Sequence, residues 1–132
     1  MIESWFNGKK IKLEKLYRAT QDGFNGTAYH AKCNNIPHIL NVVESEHGRK
    51  FGGYTSVQFD SSNKWYKDPN AFIFSLSDKK KFELSDPQTD YAFYGYSDRI
   101  MYFGNGGGFY IFNDCDKNNS SNSNIGYTFK AP

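Results

Sequence analysis

The chain has 132 residues, a length that suits one domain and can bury a core without staples. Aromatic residues make up 18% of it, with 12 Phe and 10 Tyr, and that leans the composition towards sheet. A formal net charge of +2 is too small to announce a nucleic-acid partner, and no apolar run is long enough to span a bilayer.

The opening MIESWFNGKK lacks the basic, apolar and small-residue layout of a signal peptide, so the expected location is cytoplasmic. Trp5 and Phe6 are apolar anchors, followed by the turn signal Asn7-Gly8. Ile11 and Leu13 alternate as in a strand, whereas Leu13, Leu16 and Tyr17 fit a helical turn. The second spacing predicts a short helix ending near Arg18. Asp22-Gly23 breaks the chain. Asn25 can then cap a helix over Thr27 to Cys33, ended by Asn34-Asn35.

Strands follow. Pro37 opens a run from His38 to Glu44, and His47-Gly48 turns it into a stretch on which the fold is expected to centre. That stretch has two halves. Lys50 to Thr55 carries aromatics around Gly52-Gly53, a pair that marks a bulge or a close backbone approach. Ala71 to Leu76 is apolar on both faces and follows the turn tripeptide Asp68-Pro69-Asn70. Trp65 and Tyr66 fall in the polar loop Asp60 to Asp68. Bulky aromatics in such a setting anchor protein interfaces, or fold back over a core edge. Lys79 to Lys81 reads as a solvated turn leading into the alternating Lys81 to Leu84. Tyr91 to Tyr96, Ile100 to Phe103 and Gly108 to Phe112 are further candidate strands. Asn113 to Asn124 reads as an exposed loop and Ile125 to Phe129 as a last short strand. The expected fold is mostly β, of the α+β kind: a two-layer antiparallel β-sandwich with one or two short flanking helices, in a single domain over residues 1–132.

The chemistry-bearing motifs point away from catalysis. Gly104 to Gly108 precedes a strand rather than a helix, so it suits a tight turn and not a phosphate cradle. Asp114 to Asn118 resembles the opening of a calcium loop, but Asn119 stands where Gly is needed and Ile125 where a bidentate Glu is needed. His30, His38 and His47 lack metal-site spacing, and Ser56 lies in no nucleophile elbow. Three glycosylation-type triplets, at Asn25, Asn118 and Asn119, read as turn chemistry. Cys33 and Cys115 lack CxxC spacing. Each is read as a small buried hydrophobe, with a redox thiol as the alternative role. No cofactor, metal or obligate small-molecule ligand is expected.

FGGYTS followed by a polar loop and DPNAFIFSL resembles the TLDc domain, the module of the oxidation-resistance proteins. The upstream KLYRATQDGFNGTAYHAKC and the downstream FGNGGGFYIFNDCDKNNSSNSNIGYTF are similar to the same family in the same order, from Leu16 to Phe129. Matching positions in the first block are Tyr17, Arg18, Asp22, Gly23, Phe24, His30 and Cys33. In the central block they are Phe51, Gly52, Gly53 and Tyr54, then Asp68, Pro69, Ala71, Phe72, Phe74 and Leu76. In the last block they are Gly104, Gly107, Asn113 and Cys115. Most of these positions read as core or turn.

The resemblance implies a β-sandwich and protection against oxidative stress. It also implies binding and regulation of the vacuolar proton pump, the V-ATPase, at the surface of acidic organelles, with no agreed catalytic residue. Family members continue past the position of Phe129 into one more strand. Either the chain stops before that strand, or the Trp5/Phe6 segment replaces it. A missing strand would leave an unpaired sheet edge. Three functional expectations follow. The first is a non-catalytic partner-binding domain whose partners are V-ATPase subunits. The alternative is a thiol antioxidant using Cys33 or Cys115. The third is a hydrolase whose residues meet only in the fold.

Overall fold

A computed structural model describes residues 2–6, 8–97, 99–105, 107–112, 115, 121–124 and 128–130. The chain opens with a 3-10 helix, Ile2–Phe6. Residues 11–18 are irregular, and the first α-helix, α1 (Ala19–Asp22), begins where the expected helix was to end. Leu13 is 64% exposed, so its spacing to Leu16 and Tyr17 reports no common buried face. Asp22 instead accepts the Arg18 amide at 2.9 Å and starts the helix after it. Gly23 ends α1 with φ +107°, a region that favours glycine. Helix α2 (Gly26–Cys33) is capped as the sequence predicts, with the Asn25 side chain accepting the Ala28 amide at 2.8 Å.

Among the described residues nine short strands follow: β1 (Ile39–Glu44), β2 (Lys50–Thr55), β3 (Trp65–Tyr66), β4 (Phe72–Ser75), β5 (Lys80–Glu83), β6 (Phe93–Tyr94), β7 (Arg99–Phe103), β8 (Gly108–Phe112) and β9 (Asn122–Asn124). They form two antiparallel sheets, a four-stranded one ordered β1-β2-β4-β5 and a five-stranded one ordered β3-β6-β7-β8-β9. The aromatic-glycine strand β2 and the strand after the Asp-Pro turn, β4, lie side by side as the inner strands of the first sheet.

Alternation assigns the faces. Phe51, Ile73 and Phe82 point from the first sheet to Phe93, Phe103 and Phe109 of the second. Phe51 meets Phe109 across the sandwich edge to face, with centroids 5.2 Å apart. The two sheets approach this closely because position 53 is glycine. A Cβ there would sit 2.5 Å from the Phe103 ring, and a Cβ on Gly52 would sit 1.8 Å from the Asn41 carbonyl of β1. The glycine pair therefore marks close approaches on both faces of β2. Helix α2 closes one end. Its Tyr29 hydroxyl donates to Asn41 Oδ1 at 2.7 Å, and His30 Nε2 donates to the Arg99 carbonyl at 3.0 Å.

Several expectations are corrected. Phe72 and Phe74 are buried, but on the outer side of the first sheet, where Trp5 and Phe6 cover them together with Tyr54. The Trp5/Phe6 segment is thus a helical cover and does not stand in for a strand. Trp65 and Tyr66 form a short strand instead of lying in a loop, because their backbone pairs with Tyr94 and Phe93. Of Lys79 to Lys81, only Lys79 lies in the turn. Lys81 is half-buried in β5, its ammonium 4.6 Å from the Phe72 ring centre. Asn122–Asn124, read as loop, pairs with β8 through its backbone, which hydropathy does not report. Asn113 and most of the calcium-like segment lie outside the described residues. Of the expected last strand, Phe129 forms a single bridge to Leu84.

Candidate partner-binding face

The interior alternation has an outward counterpart. Each time a strand of the second sheet sends Phe inward, its neighbour outward is an aromatic with a polar tip: Phe93 beside Tyr94, Phe103 beside Tyr102, Phe109 beside Tyr110. On β3 the order reverses, with Tyr66 inward and Trp65 outward. Register then gathers the outward rings. Trp65 sits directly opposite Tyr94, and Tyr102 directly opposite Tyr110.

The result is a continuous aromatic face. Trp65 meets Tyr91, Tyr94 and Tyr102 edge to face, at centroid distances of 5.6, 4.9 and 5.4 Å. Tyr94 and Tyr96 are 4.2 Å apart, and Tyr102 stacks on Tyr110 at 5.3 Å. Arg99 lies over these rings, its guanidinium carbon 4.1 Å from the centre of Tyr96, 5.8 Å from Tyr102 and 5.7 Å from Tyr110. Burial among its neighbours pushes the Tyr102 phenol up from its ordinary value, with Tyr96 adding to the shift and Arg99 opposing it.

Turn chemistry fixes the rim. The Asn63 carbonyl accepts the Tyr94 hydroxyl at 2.7 Å, and its side chain accepts the Ser97 amide at 3.1 Å. Gly95 lets that loop press against residue 60, since a Cβ there would meet the Asp60 carbonyl at 2.0 Å. Tyr66 faces the core, and its hydroxyl donates to Asp60 Oδ1 at 2.8 Å. Of the two candidate anchors, then, Trp65 belongs to the face and Tyr66 to its foundation. The residues that complete the face, Tyr91, Tyr94, Tyr96, Arg99, Tyr102 and Tyr110, escaped the sequence reading. Their signal was available: outward positions of a strand are ordinarily polar or charged, and here they are Tyr.

Such a surface is suited to binding a protein. Tyr, Trp and Arg are enriched where interfaces carry most of their energy, because rigid rings offer large contact area at little entropic cost. The rings are already held by one another, so little order remains to be imposed on binding.

The other candidates sit elsewhere. Cys33 is buried on α2, and burial pushes its thiol up to about 11, opposite to what a reactive thiolate needs. Cys115 is half-buried and packs against the same core. His30 is buried with both ring nitrogens engaged, Nδ1 lying 2.7 Å from the Asn34 side-chain oxygen. Asp68 is fully buried. Its carboxylate accepts the Ser56 amide and hydroxyl, each at 2.6 Å, and the Asn70 amide at 3.1 Å. Gly104 and Gly107 have φ of +83° and +140° in the turn before β8, and a Cβ on Gly104 would meet the Gly107 carbonyl at 1.8 Å. Among the described residues, no three His, Cys, Asp or Glu side chains converge on a metal-sized site, and no helix is long and apolar enough to cross a membrane.

Sandwich, flanking helices and aromatic face together define a β-sandwich domain with a surface suited to a protein partner. The TLDc domain model matches residues 2–132, and the chain belongs to that family, which is linked to resistance against oxidative stress. No curated protein matches the chain.

Proposed function

We propose that this chain is a non-catalytic protein-interaction domain that binds and regulates the V-ATPase from the cytoplasmic side of acidic organelles. The observation that carries the reading is the face formed by Trp65, Tyr94, Tyr102, Tyr110 and Arg99, which presents aromatic anchors and a cation on a rigid sheet. Membership of the TLDc family supports the choice of partner. Trp65 is the anchor at one edge of the patch and Arg99 the polar contact above it.

The test is affinity capture from a lysate of the source cell, with the wild-type chain and W65A/Y102A side by side. V-ATPase subunits should be recovered by the wild type and fall at least tenfold with the variant, the scale of two lost anchors. Absence of those subunits under both ATP-depleted and ATP-replete conditions refutes the partner. Equal recovery by the folded variant refutes the face.

A further inference from the structure

Register draws the outward rings of the second sheet into one line. Trp65 opposes Tyr94, and Tyr102 opposes Tyr110. Phe93 opposes Phe103, which sets Tyr94 opposite Tyr102 as well. Four aromatic side chains on the neighbouring strands β3-β6-β7-β8 therefore stand in a row across the sheet. Strands lie about 4.8 Å apart, so three spacings make a row about 14 Å long. Its surface is stepped. Trp65 stands at 79° to Tyr94 and at 86° to Tyr102 and Tyr91, and perpendicular ring planes leave a ledge where they meet.

The free polar groups beside this row are donors. The Trp65 indole N–H and the hydroxyls of Tyr91, Tyr96 and Tyr102 form no hydrogen bond among the described residues. Tyr91 is 46% exposed and the other three are half-buried, so all four reach solvent. The Tyr94 hydroxyl is already engaged by the Asn63 carbonyl. An indole N–H can only donate, so the fitting ligand brings acceptors. An α-helix keeps most of its carbonyls for its own ladder. An extended strand pairs along a sheet edge, not across a sheet face, and brings an N–H with every carbonyl. A polyproline II segment has no internal hydrogen bonds, so its carbonyls are free, and its prolines carry no N–H to be stranded against a ring. Its fixed φ also leaves little order to impose on docking. At about 3.1 Å per residue, roughly five residues cover the row.

We propose that this face takes a proline-rich segment of a partner protein in the polyproline II conformation, laid across β3, β6, β7 and β8. Its pyrrolidine rings pack on the ledges around Trp65, and its carbonyls accept from Trp65 Nε1 and the Tyr102 hydroxyl. The Arg99 guanidinium sits closest to Tyr96, which lies off the row, and further from Tyr102 and Tyr110. Tyr102 thus keeps ring surface for the segment. The inference rests on the reading of this face as a partner surface and adds the conformation and chemistry of what the partner presents.

The probe is a fluorescein-labelled peptide GPPPPPG, titrated with the whole chain and followed by anisotropy. Saturable binding is expected, with GAAAAAG about tenfold weaker or worse. W65A should weaken GPPPPPG about tenfold or more, the scale of one lost anchor. Y102F keeps the ring and removes only the donor, and should weaken binding about fivefold at an unchanged urea midpoint. The peptide core is uncharged, so affinity should hold between about 20 and about 200 mM salt. The proposal is overturned if GPPPPPG does not saturate, if GAAAAAG binds equally well, or if Y102F binds as the wild type does. Failure here and failure of the V-ATPase reading are distinguishable. No peptide binding while W65A/Y102A still loses V-ATPase subunits leaves the face standing and removes only the proline segment. Peptide binding that depends on Trp65 and the Tyr102 hydroxyl, with no V-ATPase subunits captured, supports the segment and removes that partner.

Discussion

Replacing Asp68 by Ala tests the account of why this fold carries a fully buried carboxylate. The Asp68 side chain is 0% exposed and ties the end of β2 to the turn that launches β4. Three of its hydrogen bonds lie well within bonding distance: Ser56 amide and Ser56 hydroxyl at 2.6 Å, and Asn70 amide at 3.1 Å. A fourth, from the Val57 amide, is long at 3.4 Å and adds little. Hydrogen bonds to a charged acceptor contribute about 1.5–3 kcal/mol each, and an amide left buried without a partner costs about 1–3 kcal/mol. Asn70 is exposed and Ser56 half-buried, so water recovers part of the loss. The expected cost of D68A is therefore about 3–5 kcal/mol, a large part of the 5–15 kcal/mol typical of a domain. D68N keeps the shape and one acceptor but turns an amide nitrogen towards a donor, and should cost roughly half as much. Urea unfolding followed by tryptophan fluorescence, at constant slope, measures both. A D68A midpoint within about 1 kcal/mol of the wild type would refute the reasoning.

Three further outcomes are expected. G52A should destabilise more than G53A, by more than about 3 against about 1–3 kcal/mol, since the first Cβ strikes the β1 backbone and the second a ring. F103L should recover part of the G53A loss in the same urea assay. N25A should cost about 1 kcal/mol by removing the cap of α2, and N25D almost nothing, as read by thermal unfolding. Cys33 titrates near 11 in the folded chain against an ordinary 9, and Tyr17 near 12 against 10, both chiefly through burial. The unfolded chain therefore loses these protons first as pH rises. Stability should hold below pH 9, fall through 9–11 for Cys33 and continue to fall through 10–12 for Tyr17. C33A should remove the first part of that fall, and native Cys33 should resist alkylation at neutral pH.

The sequence announces elements whose signal is local. Asn25 precedes a helical run, His47-Gly48 turns one strand into the next, Asp68-Pro69 launches another, and each does so in the structure. It is silent where the deciding partner is distant. Nothing in the run Leu13 to Tyr17 says that Leu13 faces water. Nothing in Asn122–Asn124 says that β8 offers it a backbone edge. Phe72 and Phe74 announce burial but not which side of the sheet is buried, because their cover comes from Trp5 and Phe6, far away in the chain. The aromatic face falls between these cases. Alternation within β6, β7 and β8 is local and legible, whereas the meeting of Trp65, Tyr94 and Tyr102 depends on strand order.

That alternation also bears on why the outward rings are tyrosines. On β6, β7 and β8 an inward Phe neighbours an outward Tyr, so a one-residue slip of any of these strands would exchange the two. The exchange conserves aromatic volume, and packing alone would discriminate weakly between the registers. The hydroxyl supplies the discrimination. A phenol turned into the Phe93–Phe103–Phe109 interior would lose water without gaining a partner, at about 1–3 kcal/mol each. Tyr66 shows the condition under which the inward position is tolerated: its hydroxyl reaches Asp60. The polar tips that make the face suitable for binding thus also hold the sheet in the one register that assembles it, so the binding surface and the specificity of the fold rest on the same atoms.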